Sequence, residues 1–218
     1  KSKERIQQYA CEITDWLIKQ DCKLIVVACN TVSSLALEKI QEKFNIPIIG
    51  VIHPGVMAAI KVTKNNRVGV LGTIATIKSD SYGIALREQI PGIEVVGRAC
   101  PLFVPLVEEG WVNGPIPENI ALAYFDSIKE SRVDTVILGC THCPLLNSTI
   151  KKVLGETVSL VDSGVATADI VISVLNDLKL FSNAKSRSIK SFVTDSIDVF
   201  ETLAKRFVDA PINSIEHI

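Results

Sequence analysis

The sequence predicts an α/β protein with doubly wound parallel sheets, on three observations. Short apolar runs rich in β-branched residues recur along the chain, amphipathic stretches separate them, and one strand-cysteine-helix-strand unit occurs twice. A continuous apolar run suits a strand buried on both faces, as parallel sheets require.

The elements follow in order. Ile6, Tyr9, Ala10, Ile13, Trp16 and Leu17 recur at three- and four-residue steps, which predicts a helix over 3–20. LIVVA (24–28) is the first apolar run and reads as a strand. A helix over 32–44, a strand over 46–51 (IPIIGV), a helix over 54–63 and a strand over 67–71 (RVGVL) come next. Then follow a helix at 79–90, a strand at 93–97, a helix at 117–130 and a strand at 135–138 (TVIL). A helix near 144–153 leads to a strand at 158–161 (VSLV) and a helix at 165–178. Lys190 to Val193 and a helix over 195–207 give one more strand and helix.

Composition narrows the function. The chain has 218 residues, 47% hydrophobic and 22% charged, enough for one large domain or two small lobes. Lys and Arg total 23 against 24 Asp and Glu, so no basic excess exists to track a phosphate backbone, and nucleic acid is not an expected partner. No apolar run approaches the roughly 20 residues of a membrane helix, and no membrane partner is expected. Six scattered cysteines do not form a secreted disulfide scaffold, and free thiols suit a reducing cytoplasm. Cys11, Cys22 and Cys100 read as small buried hydrophobes.

The repeat carries the chemistry. LIVVACNT (24–31) leads into a helix and IPIIGV, and VILGCTHC (136–143) leads into a helix and VSLVDS. Each unit places a cysteine, Cys29 or Cys140, at the carboxyl end of a strand, where open α/β sheets bind ligands. Two similar lobes facing each other would put one cysteine on each side of a cleft. Racemising a carbon needs such a pair: one group takes a proton as thiolate while the other, a thiol, delivers one to the opposite face. A thiol titrates near 8.5, so its surroundings must activate it; a helix N-terminus after each cysteine would favour the charge. Asn30 and Thr31 follow Cys29, Thr141 and His142 follow Cys140, and all four can hold a substrate's polar groups.

Plainer readings stand beside these. Either cysteine alone could be packing, and His142 could simply start a helix. His53 and His217 read as structural or surface residues, and Glu108 and Glu109 before Gly110 as a solvated helix end. Thr73 and Thr76 in LGTIATIKS are candidate substrate ligands that could instead cap the following helix. Cys140-Thr-His-Cys143 before Pro144 is also a C-x-x-C, open to a redox reading that leaves the Cys29 repeat unexplained. A zinc site on Cys140, His142 and Cys143 lacks a fourth ligand, so no metal is expected.

VVACNTVSS and LGCTHCPLL resemble the two signature cysteine motifs of the glutamate racemases, within the aspartate/glutamate racemase superfamily, and LGTIAT and CPLFVPLVEEG fit the same family in the same order. The resemblance covers essentially the whole chain. It implies two flavodoxin-like lobes, the second (53–161) inserted in the first (1–52 plus 162–218), with the active site between them. It implies that Cys29 is the base toward D-glutamate and Cys140 the base toward L-glutamate. Asn30, Thr31, Thr73 and Thr141 would bind the amino acid, His142 would assist Cys140, and Glu108 would support the proton transfers. It further implies no pyridoxal phosphate and no metal, a homodimer, and a product, D-glutamate, that feeds peptidoglycan and so cell-wall biogenesis and cell shape.

Two departures from the family pattern matter. The family opens with a strand, an Asp-Ser-Gly motif and later a Pro-Tyr-Gly stretch, and Lys1-Ser2 resembles the residues just after it. The aspartate of that motif would partner Cys29. Residues 1–218 made alone are therefore expected to be poorly folded or nearly inactive, and normal turnover would overturn this. VDSGVATA (161–168) resembles the missing wording but reads as a hinge and helix cap. Cys143 stands where many members carry an aromatic residue, which is expected to alter only local packing. Within the superfamily, His142 after Cys140-Thr141 favours glutamate over aspartate or hydantoin substrates; a catalytically inactive binding protein is the remaining alternative.

Overall fold

The amphipathic stretch at the N-terminus folds as helix α1 (Lys3–Lys19), started by Ser2, whose hydroxyl accepts from the Arg5 N–H at 3.3 Å. In this computed structural model, which describes residues 1–182, 188–208 and 210–218, the chain divides into two compact units, Lys1–Lys179 and Leu180–Ile218.

In the first unit, β1 (Ile25–Val27) and β2 (Ile48–Gly50) pair in parallel, with α2 (Asn30–Leu35) and α3 (Leu37–Lys43) between them. Ala10, Cys11, Ile25, Ala36, Ile40 and Ile48 close a small core. Only part of the buried-strand reading holds for β1: Ile25 is buried, but Val26, on the alternate face, is exposed. The single helix expected over 32–44 is two, because Ala36 leaves helical geometry at φ −132°. That break turns Leu37 onto Gly50, where a Cβ would collide with the Leu37 side chain.

The larger sheet has four parallel strands in the order β4-β3-β5-β6. They are β3 (Arg67–Gly72), β4 (Glu94–Ala99), β5 (Thr135–Gly139) and β6 (Ser159–Asp162). Every residue of β5 is buried, as its unbroken apolar run predicts. Helices α4 (Ile52–Val62), α5 (Ile74–Ser79), α6 (Ser81–Gln89), α7 (Phe103–Glu108), α8 (Pro115–Glu130), α9 (Asn147–Leu154) and α10 (Ser163–Asp177) complete the unit. One core gathers Phe103, Phe125, Ile128, Leu138, Leu146 and Ile150; another gathers Val56, Val68, Tyr82, Leu86 and Ile137.

Two departures here have local causes. The helix expected over 79–90 begins earlier and is split, because Asp80 adopts a left-handed conformation (φ 51°) between α5 and α6. Helix α7 was anticipated only at its end, in the solvated helix end read at Glu108 and Glu109; it is a turn and a half long, with Pro105 in its first turn, where a missing N–H costs nothing.

The second unit holds β7 (Lys190–Val193), α11 (Ile197–Phe207) and β8 (Ser214–His217), the two strands being parallel. β8 was not expected, since SIEH has no apolar run. Among the described residues no helix is long and apolar enough to cross a membrane.

Candidate active site

The site is built at the carboxyl ends of β1, β3 and β5. β3 and β5 pair Gly72 with Gly139, and the next residues are Thr73 and Cys140. Glycine is required at 139 by crowding: a Cβ there would lie 2.8 Å from the Leu71 carbonyl oxygen and 3.1 Å from Tyr82 Cε2.

Cys140 is 7% exposed. Beyond it the chain makes a 3-10 turn over Cys143–Leu146, closed by the Cys143 N–H donating to the Cys140 carbonyl at 3.1 Å. This corrects the expectation of an α-helix immediately after Cys140: Pro144 and the tight turn postpone α9 to Asn147. The thiol's activation therefore has another origin. The Cys143 thiol, donating to Cys140, holds the Cys140 pKa well below the usual thiol range; the His142 side chain, backbone N–H and charge act in the same direction, against burial. His142 is raised in turn, first by its bond to Cys140 and then by Glu108, whose Oε1 lies 3.5 Å from His142 Nε2. Thr141 Oγ1 is 3.2 Å from His142 Nδ1. Cys143, fully buried beside that thiolate, is pushed up, and burial pushes Cys100 up to about 12.

Cys29 stands at the start of α2 with extended backbone, its carbonyl accepting from the Ser33 N–H at 2.8 Å, and its side chain is exposed. Asn30 is buried, and its Oδ1 accepts from the Tyr82 hydroxyl at 2.6 Å. Thr31 Oγ1 lies 2.8 Å from Thr73 Oγ1 and 3.2 Å from Thr76 Oγ1, and Thr73 and Thr76 are 3.1 Å apart, so three hydroxyls form a triangle between α2 and α5. Thr73 also caps α5, accepting from the Thr76 N–H at 3.2 Å, so the capping reading holds together with its place at the site. Thr73→Ala is expected to lower stability by about 1–2 kcal/mol, read as a lower urea midpoint at unchanged slope.

The structure thus assembles two groups. Cys140, Thr141, His142 and Glu108 form one, and Cys29, Asn30, Thr31, Thr73 and Thr76 the other. The Thr31–Thr73 bond ties α2 to the end of β3, whose partner strand β5 leads into Cys140, and Tyr82, bonded to Asn30, packs beside Gly139, the residue before Cys140. His53 is exposed and outside both, and His217, in the second unit, is exposed. Sequence reasoning weighed Cys143 as packing, as half of a C-x-x-C pair and as a zinc ligand, but not as a donor to Cys140. It missed Tyr82, which looks like any apolar position of a helix. All six cysteines are free thiols, and among the described residues no three His, Cys, Asp or Glu side chains are arranged to hold a metal ion.

The chain is similar to known proteins in sequence and in fold. The profile of the Asp/Glu/hydantoin racemase family matches residues 2–171. A glutamate racemase of Geobacter metallireducens is 42% identical over 219 residues, covering 100% of this chain and 81% of that protein. The crystal structure of a glutamate racemase isoform from Bacillus anthracis superposes with a TM-score of 0.95 at 37% identity, over 100% of this chain and 82% of the other. A glutamate racemase from Francisella tularensis, solved with D-glutamate, gives a TM-score of 0.94 at 35% identity, over 100% of this chain and 81% of the other.

Proposed function

The chain belongs to the Asp/Glu/hydantoin racemase family, and from that premise we propose a glutamate racemase: an isomerase that interconverts L- and D-glutamate, with no cofactor, through Cys29 and Cys140. The observation that carries the two-thiol reading is the 2.8 Å Thr31–Thr73 bond. It holds the helix that follows Cys29 against the end of β3, whose paired strand β5 runs straight into Cys140.

With L-glutamate bound, the Cys140 thiolate removes the α-proton and the Cys29 thiol delivers its own proton to the opposite face. Cys140 ends as thiol, Cys29 as thiolate, and the product is D-glutamate; the reverse reaction exchanges the roles. The depressed pKa of Cys140 provides the base, and His142, raised and steadied by Glu108, stabilises the thiolate. Asn30, Thr31, Thr73 and Thr141 hold the carboxylates and amino group, and Thr76 completes the hydroxyl triangle that orients Thr31. Hydrogen bonds to the α-carboxylate stabilise the carbanion's charge as it develops. The reading extends to a cytoplasmic homodimer whose D-glutamate supplies peptidoglycan.

Incubation with L-glutamate in deuterated water tests the reaction. The expected result is inversion with one deuterium at the α-carbon, no dependence on added pyridoxal phosphate, and little turnover of aspartate. Rescue of growth in a bacterium that requires D-glutamate tests the cell-wall role. Preferential racemisation of aspartate would sink the substrate assignment.

A further inference from the structure

Tyr82, the second residue of α6, is 2% exposed. Its ring fills the space left by two glycines: a Cβ on Gly139 would come within 3.1 Å of its Cε2, and one on Gly55 within 3.2 Å of its Cε1. The hydroxyl donates to Asn30 Oδ1 at 2.6 Å, and the Ser163 side chain, at the start of α10, bonds to the same tyrosine. One side chain therefore touches the residue before Cys140, the residue after Cys29, and the first residue of α10. Burial holds the phenol far above its usual range, opposed by the Ser163 bond and reinforced by the nearby sulfurs and Asp162, so the hydroxyl is protonated and able to donate at neutral pH.

An asparagine amide has an acceptor end and a donor end, and a neighbour bonded to one end decides where the other points. We propose that Tyr82 is a positioning residue for racemisation: its hydroxyl fixes the Asn30 amide with its N–H donors presented to the substrate carboxylate, and its ring braces Asn30 against the backbone that carries Cys140. This rests on the glutamate racemase reading and adds to it a residue that never meets the substrate. The bond is short, both partners are buried, and it ties the Cys29 motif to a ring that packs beside Gly139, the residue before Cys140.

The test is a double-mutant cycle between Tyr82→Phe and Asn30→Ala, with kcat and KM measured for both enantiomers beside the unaltered protein. Tyr82→Phe keeps the ring and deletes the hydroxyl, so the fold is expected to persist while kcat/KM falls about tenfold, the size of one well-placed hydrogen bond. In the Asn30→Ala background the same change is expected to have no further effect on kcat/KM, because the hydroxyl reaches the substrate only through Asn30. A purely structural tyrosine would give losses that add. Additive losses, or unchanged kinetics for Tyr82→Phe in a protein that racemises glutamate, overturn the proposal. An unaltered, folded protein that inverts neither enantiomer even slowly, and exchanges neither α-hydrogen, overturns the functional reading itself. If Tyr82→Phe does not fold, Asn30→Asp serves: it keeps the acceptor for Tyr82 but lacks the donors, and wild-type kcat/KM there would equally refute the inference.

Discussion

Cys140→Ala is expected to reduce glutamate racemisation at least about a thousandfold in both directions, the scale set by loss of a positioned acid or base. The structural cost is small, because Cys140 is a compact residue at a strand end, so the variant should remain folded. One part of the chemistry should survive. Cys29 can still take the α-proton of D-glutamate and return a solvent-derived deuteron to the same face. The variant should therefore exchange the α-hydrogen of D-glutamate in deuterated water without inverting it, and leave L-glutamate unlabelled. Cys29→Ala should show the mirror image, labelling L-glutamate alone. Inversion above about a tenth of the normal rate in either variant, against the thousandfold loss expected, would refute the two-thiol mechanism.

Cys143→Ala should move the acid limb of the kcat/KM profile toward alkaline pH by about one to two units. The Cys143 thiol is the largest influence lowering Cys140, and a hydrogen bond to a charged acceptor contributes about 1.5–3 kcal/mol, against 1.36 kcal/mol per pKa unit. The sign follows from the direction of the shift. A thiol depressed in the folded state is a thiolate above its folded pKa, so losing the donor means that more hydroxide is needed for the same active fraction. Stability obeys the same linkage: the Cys140 contribution is complete above the unfolded thiol's pKa and fades as pH falls through the folded one. The variant should lose part of it across that window. Cys143→Ser keeps a donor and should restore most of the profile; thiolate absorbance near 240 nm follows the titration directly. An unmoved acid limb in Cys143→Ala would assign the activation to His142.

Much of this protein could be read from its residues because the governing forces are local and repetitive. TVIL and LIVVA both read as strands of a parallel sheet, fully for the buried β5 and in part for β1, whose Val26 is exposed, and the recurrence of Cys29 and Cys140 at strand ends pointed to one ligand region. Single backbone angles were invisible. Nothing in the apolar periodicity distinguishes Ala36 or Asp80 from a residue inside a continuous helix, yet each splits one. Roles fixed by tertiary neighbours were invisible too. Cys143 is small and apolar-flanked, as a packing residue would be, and becomes a donor only because the 3-10 turn brings it beneath Cys140. Tyr82 has the pattern of a core residue and is one; only its far end, meeting Asn30 from a distant stretch of chain, is chemical.

The two sulfurs have unequal settings, one buried among thiols and an imidazole, the other open to solvent at the head of a short helix. Mirror-image amino acids have the same free energy in water, so the equilibrium between them is one whatever the protein does. Any preference created by these unequal settings must appear as equal and compensating changes in turnover and saturation. An enantiomer processed faster at high concentration must also be held more loosely, and at low concentration neither direction can outrun the other.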